Sequence, residues 1–290
     1  MIKIIVVYTN YILQYLHMNN IILIDGSYFI FYRYFALIAW WKVAKKDQEL
    51  GNPAENEEFV EKYRKTFVSK IKEMPKKLKL KNPDKAIIMV GKDCPRDDIW
   101  RSKNFKDYKG NRDYSNFEGG PLFKLAYKEN LFEEGGASIV MKHPHLEADD
   151  CIAITARHIC ATRSPEDTMV TIITSDTDYL QIACPQIKLI TLKYKPVNTE
   201  KNSYGIPEKD LFCKIVIGDK SDNIPGVFKK CGKKTAEKYY DDRELFNKKL
   251  DEDESGETRR RYEHNRRMIS FDEIPKEYVD EFRRDTLKIK

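Results

Sequence analysis

The stretch Val170-Thr171-Ile172-Ile173-Thr174-Ser175-Asp176-Thr177-Asp178 joins an apolar run directly to two aspartates. The run has the length and β-branched composition of a buried strand. In open α/β sheets, ligands bind beyond the carboxyl ends of the strands, and two acids two positions apart in an extended segment lie on the same side. A turn held by aspartate side-chain hydrogen bonds explains this stretch equally well.

Four further apolar runs repeat the strand pattern. They are residues 21–24, 86–90, 137–141 and 187–192. Segments that can form helices separate the runs. The sequence therefore predicts an α/β fold with a mostly parallel sheet and crossover helices.

Nine carboxylates follow these runs or lie in a later loop. Like charges buried together either take up protons or recruit cations. Oxygen ligands without a supporting set of histidines or thiols favour magnesium or manganese over zinc. The candidate ligands are Asp25, Asp93, Glu147, Asp149, Asp150, Asp176, Asp178, Asp219 and Asp222.

The group Glu147-Ala148-Asp149-Asp150 has alternative explanations. It opens an apolar helical run, where acids suit a helix N-terminus. Capping alone explains one or two of these acids but hardly three. His143 and His145 precede the group, so a mixed histidine and carboxylate site is a second hypothesis, although histidines around a proline are more often loop residues.

Cations and aromatic residues alternate between the second strand and Glu147. Such a mixture is expected at a single-stranded nucleic-acid channel. An amphipathic helix that buries its aromatics has the same composition, and composition alone favours it. The residues are Arg96, Trp100, Arg101, Lys103, Phe105, Lys106, Tyr108, Lys109, Arg112, Tyr114 and Phe117.

Composition narrows the class of protein. The 290 residues include 52 lysines and arginines against 46 acids, a net charge of +6. Because several acids are committed to one site, the remaining surface is more positive than this total suggests, as nucleic-acid binding requires. Six cysteines without a CxxC pair favour reduced thiols and an intracellular location, cytoplasmic or nuclear.

The two ends of the chain differ from the central part. Residues 1–19 are expected to be an N-terminal extension, since their apolar run is too short and polar to span a membrane; a membrane-address function is the minor alternative. From about residue 207 the strand pattern stops, and a charged, helical sequence follows with an acidic tract at residues 251–256.

Six motifs occur in an order that resembles the flap endonuclease and 5′-3′ exonuclease family. This family includes the nuclease domain of bacterial DNA polymerase I and related phage and viral enzymes. The resemblance covers about residues 20–275, and the string GDKSDNIPGV is its most specific part. The motifs are Asp25–Arg33, Tyr108–Arg112, Glu147–Asp150, Thr174–Asp178, Gly218–Val227 and Asn265–Pro275.

The resemblance implies a PIN-like, resolvase-like fold with helices on both faces of the sheet. The nuclease domain would span residues 20–206 and include a helical arch at about 94–135. A C-terminal helical DNA-binding region would span residues 207–290, with a degenerate helix-hairpin-helix at about 218–240.

The resemblance also implies roles for individual residues. Asp25, Asp93, Glu147 and Asp149 would bind a first magnesium or manganese ion. The second-ion set would be Asp150, Asp176, Asp178, Asp222 and Asp219. Lys109, Arg112 and Arg101 would be catalytic, with Lys109 and Arg112 steering the scissile phosphate. DNA would contact Lys103, Lys106, Tyr108, Lys229, Lys230, Gly232, Lys233, Lys234 and Thr235, and a monovalent cation would bind at the hairpin.

Two departures from the family pattern affect these assignments. Gly91 and Lys92 separate the second strand from Asp93, so Asp97 and Asp98 are alternatives to Asp93. In the hairpin, a lysine replaces an earlier glycine. Extra positive charge would compensate for a less regular hairpin.

The expected function is a metal-dependent, structure-selective 5′ nuclease that hydrolyses phosphodiester bonds in DNA flaps or RNA-primed ends. Its partners would be DNA with a 5′ flap or 5′ end, an RNA-DNA hybrid, and a replicative polymerase or clamp. The expected form is a monomer without membrane attachment. Alternatives are a catalytically weak flap-binding scaffold and a PIN-type ribonuclease.

Overall fold

The computed structural model describes residues 20–113 and 117–288. The expected extension at residues 1–19 and Tyr114 of the basic and aromatic segment lie outside these residues. Within the described ranges, no helix is long and apolar enough to cross a membrane.

Five strands form one sheet in the order β3-β2-β1-β4-β5, and every neighbouring pair is parallel. All five runs predicted from the sequence form strands, so the prediction of a mostly parallel sheet is confirmed. The strands are β1 (Asn20–Asp25), β2 (Ile87–Gly91), β3 (Ala137–Met141), β4 (Met169–Ile173) and β5 (Ile187–Ile190).

Helices surround the sheet and continue beyond it. The α-helices are α1 (Gly26–Ala44), α2 (Glu57–Lys77), α3 (Trp100–Asn104), α4 (Gly120–Lys128), α5 (Leu131–Glu134), α6 (Ala148–Thr162), α7 (Pro207–Ile217), α8 (Lys233–Asp241), α9 (Arg243–Asp251), α10 (Glu257–Ile269) and α11 (Lys276–Asp285). Short 3-10 helices lie at Pro83–Lys85, Arg96–Asp98, Thr177–Ile182, Lys220–Asp222 and Phe271–Glu273.

The sheet is buried on both faces. Alternate side chains of β1 point to opposite faces: Ile22 and Ile24 belong to the core that includes residues of α1, α2 and α4. Leu23 belongs to the core that includes residues of α6 and α11. This double burial explains why the strands are continuous apolar runs rather than alternating ones.

The helices α7 to α9 share a separate small core that includes Phe212, Val227 and Phe246. After α10 the chain returns to the sheet, because Phe271 and Phe282 are buried in the same core as α6. α7 starts at the predicted boundary, Pro207, whereas Phe271 and Phe282 pack in the core between the sheet and α6.

The sheet order places a topological switch point beside β1, whose neighbours β2 and β4 lie on opposite sides. In such folds the ligand crevice lies at this point, beyond the carboxyl ends of the strands. Gly91 ends β2 there, and a Cβ atom on it would lie 2.6 Å from the carbonyl oxygen of Ala148. Only glycine lets the end of β2 approach the start of α6 this closely.

Candidate active site

The carboxylates that follow β1 and β2 are tied into the backbone around the switch point. Asp25 caps α1 and accepts a hydrogen bond from the backbone N–H of Tyr28 at 3.0 Å. Asp93 accepts hydrogen bonds from the hydroxyl of Ser27 and, at 2.8 Å, from the N–H of Ala148. Burial and the neighbouring Asp93 raise the pKa of Asp25 to about 7.

These contacts place Asp93 beside α1 and the N-terminus of α6, and Lys92 alone separates it from β2, because Gly91 belongs to the strand. The fallback positions Asp97 and Asp98 belong to a 3-10 helix and are exposed. Asp93 is thus the carboxylate that stands between α1 and α6 after the second strand.

Three carboxylates at the start of α6 form a compact cluster. One oxygen each from Glu147, Asp149 and Asp150 lies within 4.8 Å of the others. Glu147 and Asp150 also form a capping box at the helix N-terminus. Capping and clustering therefore occur together. Burial and the charges of Asp150 and Glu147 raise the pKa of Asp149 well above its ordinary value.

Arg101 neutralises two of these acids from inside the protein. Its Nη1 and Nη2 atoms donate to the two oxygens of Asp150 at 2.9 Å each, and Nη1 donates to Glu147 at 3.0 Å. Its Nε donates to the carbonyl of Met268 at 2.8 Å, and the indole N–H of Trp100 donates to Asp150 at 2.9 Å. Arg101 is 2% exposed and Asp150 is 0% exposed.

This geometry gives Arg101 and Asp150 a positioning role in the described conformation. Both oxygens of Asp150 accept hydrogen bonds from protein donors, and the side chain of Arg101 is 2% exposed. The resemblance implies that Arg101 is catalytic and that Asp150 is an ion ligand, and both roles stay predictions; the motifs do not show the ion pair between them.

The segment expected to form the helical arch reaches into the acidic cluster. The hydroxyl of Tyr108 lies 3.0 Å from Glu147 and 3.1 Å from Asp222, and Lys109 pairs with Glu147. Arg112 pairs with Asp222. Burial opposes ionisation of Glu147, but Lys109 and Arg101 outweigh it, so the pKa of Glu147 lies below its ordinary value.

Tyr108 was expected to contact DNA, but its ring is only 4% exposed. In this conformation its hydroxyl lies between Glu147 and Asp222, and the DNA contact of Tyr108 stays a prediction. Lys103 and Lys106, its predicted partners in DNA binding, are exposed.

Lys214 is a site residue that the sequence did not reveal. It projects from α7 and pairs with Asp178 and, at 2.9 Å, with Asp219. Burial opposes ionisation of Asp219, but Lys214 and Ser221 lower its pKa to about 2. The only local signal is the position of Lys214 shortly before the Gly218–Val227 motif.

Asp176 and Tyr179 complete the carboxyl edge of β4. Asp176 is exposed and accepts a hydrogen bond from the N–H of Asp178 at 2.9 Å, so the turn considered from sequence does form. The hydroxyl of Tyr179 is fully buried without a hydrogen-bond partner in the structure. Burial and the charges of Asp25 and Asp149 raise the pKa of Tyr179 well above its ordinary value.

The two histidines have protein partners of their own. Nε2 of His143 lies 3.1 Å from Glu281 of α11, and Nδ1 of His145 lies 3.0 Å from the carbonyl of Asp98. Among the described residues, the side chains grouped closely enough to hold one ion are Glu147, Asp149 and Asp150, without a histidine. This geometry favours a carboxylate site over the mixed one.

The residues fit a hard divalent cation. The available ligand atoms are carboxylate oxygens, which magnesium and manganese prefer. Protein cations pair with acids of the site: Lys109 with Glu147, Arg112 with Asp222, and Lys214 with Asp178. The unpartnered hydroxyl of Tyr179 is a further polar group available to an ion's hydration shell.

The predicted helix-hairpin-helix, at about residues 218–240, begins after α7 and includes most of α8, and its candidate DNA contacts are exposed. They are Lys229, Lys230, Gly232, Lys233, Lys234 and Thr235. Lys230 has a φ of 58°, a left-handed conformation that glycine adopts without strain. A lysine thus occupies a glycine-like backbone conformation in this hairpin.

Comparison with known proteins confirms the resemblance. The profile of the family described as 5′-3′ exonuclease, N-terminal resolvase-like domain, matches residues 20–209. The 5′-3′ exonuclease of Bacillus subtilis is 35% identical over 161 residues, which cover 52% of this chain and 51% of that protein. The 5′-3′ exonuclease of Buchnera aphidicola subsp. Schizaphis graminum is 26% identical, with 77% and 70% covered.

DNA polymerase I of Bacillus caldotenax is 34% identical over 153 residues, which cover 48% of this chain and 16% of the polymerase. The alignment thus spans about half the length of the first exonuclease relative and a small part of the polymerase.

Two solved structures of a bacteriophage T5 nuclease share the fold. The T5 5′-exonuclease with bound zinc has a TM-score of 0.60 at 18% identity and covers 93% of this chain and 99% of its own. The T5 flap endonuclease in a complex with DNA and metal ions has a TM-score of 0.59 at 17% identity, with 93% and 98% covered. These matches confirm the resolvase-like fold.

Proposed function

Because the chain belongs to the 5′-3′ exonuclease family, we propose that it is a metal-dependent, structure-selective 5′ nuclease. Its substrates are DNA flaps or RNA-primed 5′ ends, and the reaction is hydrolysis of a phosphodiester bond. The observation that carries this proposal is the cluster of Glu147, Asp149 and Asp150 at the switch point of the sheet. Protein cations already lie among the neighbouring acids.

Two sets of carboxylates would hold the ions. Asp25, Asp93, Glu147 and Asp149 form the first set, linked through the contact of Asp93 with the N-terminus of α6. The second set contains Asp176, Asp178, Asp219 and Asp222, with Asp150 as a supporting residue that Arg101 holds in place. Bound magnesium or manganese would activate a water molecule and stabilise the departing oxygen.

Protein residues would bind and orient the DNA. Lys109 and Arg112 lie at the rim of the acidic cluster, where their charges can neutralise a substrate phosphate. Lys103 and Lys106 extend the positive surface on the same segment. The hairpin between α7 and α8 would bind the duplex part of the DNA and a monovalent cation. The arch would span about residues 94–135 and the helix-hairpin-helix about residues 218–240.

Relatives that include DNA polymerase I support a role in replication or repair, with a polymerase as partner. The acting species is proposed to be a monomer inside the cell.

The proposal is tested by cleavage of flap, nicked, RNA-primed and single-stranded substrates during a magnesium titration. We expect cleavage of the 5′ flap that requires magnesium and is lost in Asp149→Ala and in Asp176→Ala. The exposed Asp47, which lies after α1 away from the acids, supplies the control variant Asp47→Ala with unchanged activity.

Two outcomes would replace the proposal by its alternatives. Flap binding without turnover at any magnesium or manganese concentration would indicate a DNA-binding scaffold. Faster hydrolysis of RNA than of flap DNA would indicate a PIN-type ribonuclease. Full activity in both acidic variants would refute the site assignment.

A further inference from the structure

Two cysteine thiols from distant segments meet at the end of the sheet opposite the acidic cluster. Cys160 lies in the last turn of α6, and Cys184 lies three residues before β5. A hydrogen bond joins their side chains. Because Cys184 precedes a strand of the parallel sheet, the pair lies at the amino ends of the strands, whereas the acids follow the carboxyl ends. The thiol pair is therefore separate from the candidate active site.

Hydrogen bonds to the backbone hold these two segments together. Nε2 of Gln186, which is 4% exposed, donates to the carbonyl of Thr168 at 2.8 Å and to the carbonyl of Arg163, directly after α6, at 3.1 Å. The backbone N–H of Ile187 donates to the carbonyl of Cys184 at 2.9 Å, which closes a turn before β5. The segment before β5 is thus fixed against the exit of α6, and the thiols are held side by side.

The two thiols differ in their access to solvent. Cys184 is exposed, whereas Cys160 is partly buried against the core that includes residues of α6. Burial, the charge of an ionised Cys184 and the hydrogen bond between the thiols raise the pKa of Cys160 to about 12. A cysteine attacks as its thiolate. A reagent from solution therefore reacts first with Cys184, and Cys160 reacts second.

This arrangement has the form of a reversible oxidation site. An accessible cysteine next to a second cysteine that can displace the first adduct is typical of thiols that form reversible disulfides. In a reducing compartment such disulfides are transient rather than permanent. The free thiols of the structure and an intracellular location are both compatible with this chemistry.

We propose that Cys160 and Cys184 form a reversible disulfide by exchange with a small-molecule disulfide such as oxidised glutathione. In the first step the thiolate of Cys184 bonds to one sulfur of glutathione disulfide, the S–S bond of the reagent breaks, and one glutathione leaves as a thiolate that takes up a proton. In the second step Cys160 gives its proton to solvent, bonds to Cys184 and releases the second glutathione. Two protein thiols are oxidised, and one reagent disulfide is reduced to two thiols.

The disulfide would stabilise the sheet without involving the acids. It would close a loop of residues 160–184, which contains β4 and connects it to the end of α6. Such a cross-link reduces the conformational freedom of the unfolded chain. We therefore expect the melting temperature of the oxidised protein to exceed that of the reduced protein by at least about 3 °C.

The test incubates the reduced, folded protein with oxidised glutathione in EDTA and measures the masses of its proteolytic fragments. In the wild type we expect one fragment pair linked through Cys160 and Cys184, with two hydrogen atoms lost and no glutathione on either residue. Cys160→Ser should keep one glutathione on Cys184, because the second step lacks its thiol. The control Cys231→Ser removes a partly exposed thiol between α7 and α8 and should form the same link as the wild type.

Melting curves of the same samples show whether the link stabilises the fold. Oxidation should raise the melting temperature of the wild type and of Cys231→Ser but not that of Cys160→Ser, and dithiothreitol should reverse the rise. Glutathione that stays on Cys184 in the wild type, a lack of reaction at Cys184, or a link between other cysteines would overturn the proposal. None of these readouts uses DNA or a metal ion, so they test the thiol pair independently of the proposed nuclease function.

Discussion

Arg101 and Asp150 form a bidentate ion pair with both hydrogen bonds at 2.9 Å, and neither side chain is more than 2% exposed. The pair joins α3 to α6, and the third contact of Arg101, with the carbonyl of Met268, adds the end of α10. Three segments far apart in sequence thus meet behind the acidic cluster.

Removal of the arginine should therefore be strongly destabilising. In Arg101→Ala, Asp150 and Glu147 lose their buried counter-charge, and we expect the free energy of unfolding to fall by about 3–5 kcal/mol. Urea denaturation measures the change. Arg64→Ala is the control, because its pair with Glu129 is 37% and 36% exposed and should contribute at most about 1 kcal/mol. Similar losses in the two variants would contradict the buried-pair interpretation.

Neutralising Asp149 and neutralising Asp150, which are neighbours on α6, should have different effects on stability and on manganese binding. Asp150→Asn leaves Arg101 without its main partner, so we expect a loss of stability of about 2–4 kcal/mol. Asp149 accepts one hydrogen bond, from the N–H of Asp150 at 2.7 Å. Asp149→Asn should keep its stability but bind manganese at least about tenfold more weakly, a difference of about 1.4 kcal/mol. Calorimetric titration and urea denaturation distinguish the two, and the reverse pattern would refute the roles assigned here.

Asp25 should make stability depend on pH when divalent ions are removed. When the pKa of a carboxyl is higher in the folded than in the unfolded protein, the group stabilises the fold at pH values below its unfolded-state pKa. This stabilisation is lost as the pH rises through its folded-state pKa. For Asp25 the window runs from 3.8 to about 7.

We expect the wild type in EDTA to lose up to about 4 kcal/mol across this window relative to Asp25→Asn. Asp219 has the opposite sign because its pKa is lowered, but it is present in both proteins and cancels in the difference. Urea denaturation from pH 4 to pH 8 is the measurement. Parallel curves for the two proteins would show that Asp25 is not perturbed.

The hydroxyl of Tyr179 should matter only when an ion is bound. A buried hydroxyl without a partner costs about 1–3 kcal/mol, so Tyr179→Phe in EDTA should be as stable as the wild type or more stable. The stabilisation added by manganese should be smaller in the variant, as thermal denaturation with and without the ion would show.

Tyr63 is the matched control for this experiment. Its hydroxyl is also buried without a partner, but it lies in the core between the sheet and α2. Tyr63→Phe should leave the effect of manganese unchanged. An equal effect of manganese on Tyr179→Phe and on the wild type would remove Tyr179 from the site.

Because the end of β2 packs closely against α6, a side chain at Gly91 should destabilise the fold. A methyl group on Gly91 would lie 2.6 Å from the carbonyl of Ala148 and 2.9 Å from the side chain of Ile152. We expect Gly91→Ala to reduce stability by about 1–3 kcal/mol or more, whereas Gly120→Ala, with open space around it, should have little effect. Urea denaturation of both variants decides the matter, and a neutral Gly91→Ala would show that β2 and α6 can separate freely.

Much of the fold could be predicted because its strongest signals are local. Each strand is a continuous apolar run, since both faces of the sheet are covered, and each run is bounded by polar residues. The order of the strands and the contact of Asp93 with α6 depend on how distant segments pack. Motif resemblance, rather than periodicity, indicated the region of residues 218–240.

The acids of the site were easier to predict than their cations. Acids such as Asp25 and Asp176 stand at strand ends, which the sequence shows directly. Lys214 reaches Asp178 across a tertiary contact and carries no such signal. Arg101 was indicated by the resemblance, but its pairing with Asp150 depends on tertiary packing. The segment with mixed cations and aromatics has features of both interpretations considered from the sequence. Trp100 and Tyr108 are buried, as in an amphipathic helix, while Lys103 and Lys106 are exposed, as nucleic-acid binding requires.

The return of the chain to the sheet after α10 has a consequence for where the proposed enzyme would cut. Gln181 accepts a hydrogen bond from the N–H of Phe271 at 2.7 Å and donates one to the carbonyl of Ile269 at 3.1 Å, which holds the end of the helical region. At the start of this region, α7 packs against the 3-10 helix Thr177–Ile182, which contains Gln181. A region anchored at both ends cannot change its distance to the acids as a domain on one linker can. The fold would thus fix the number of nucleotides between the duplex bound at the hairpin and the cleaved bond.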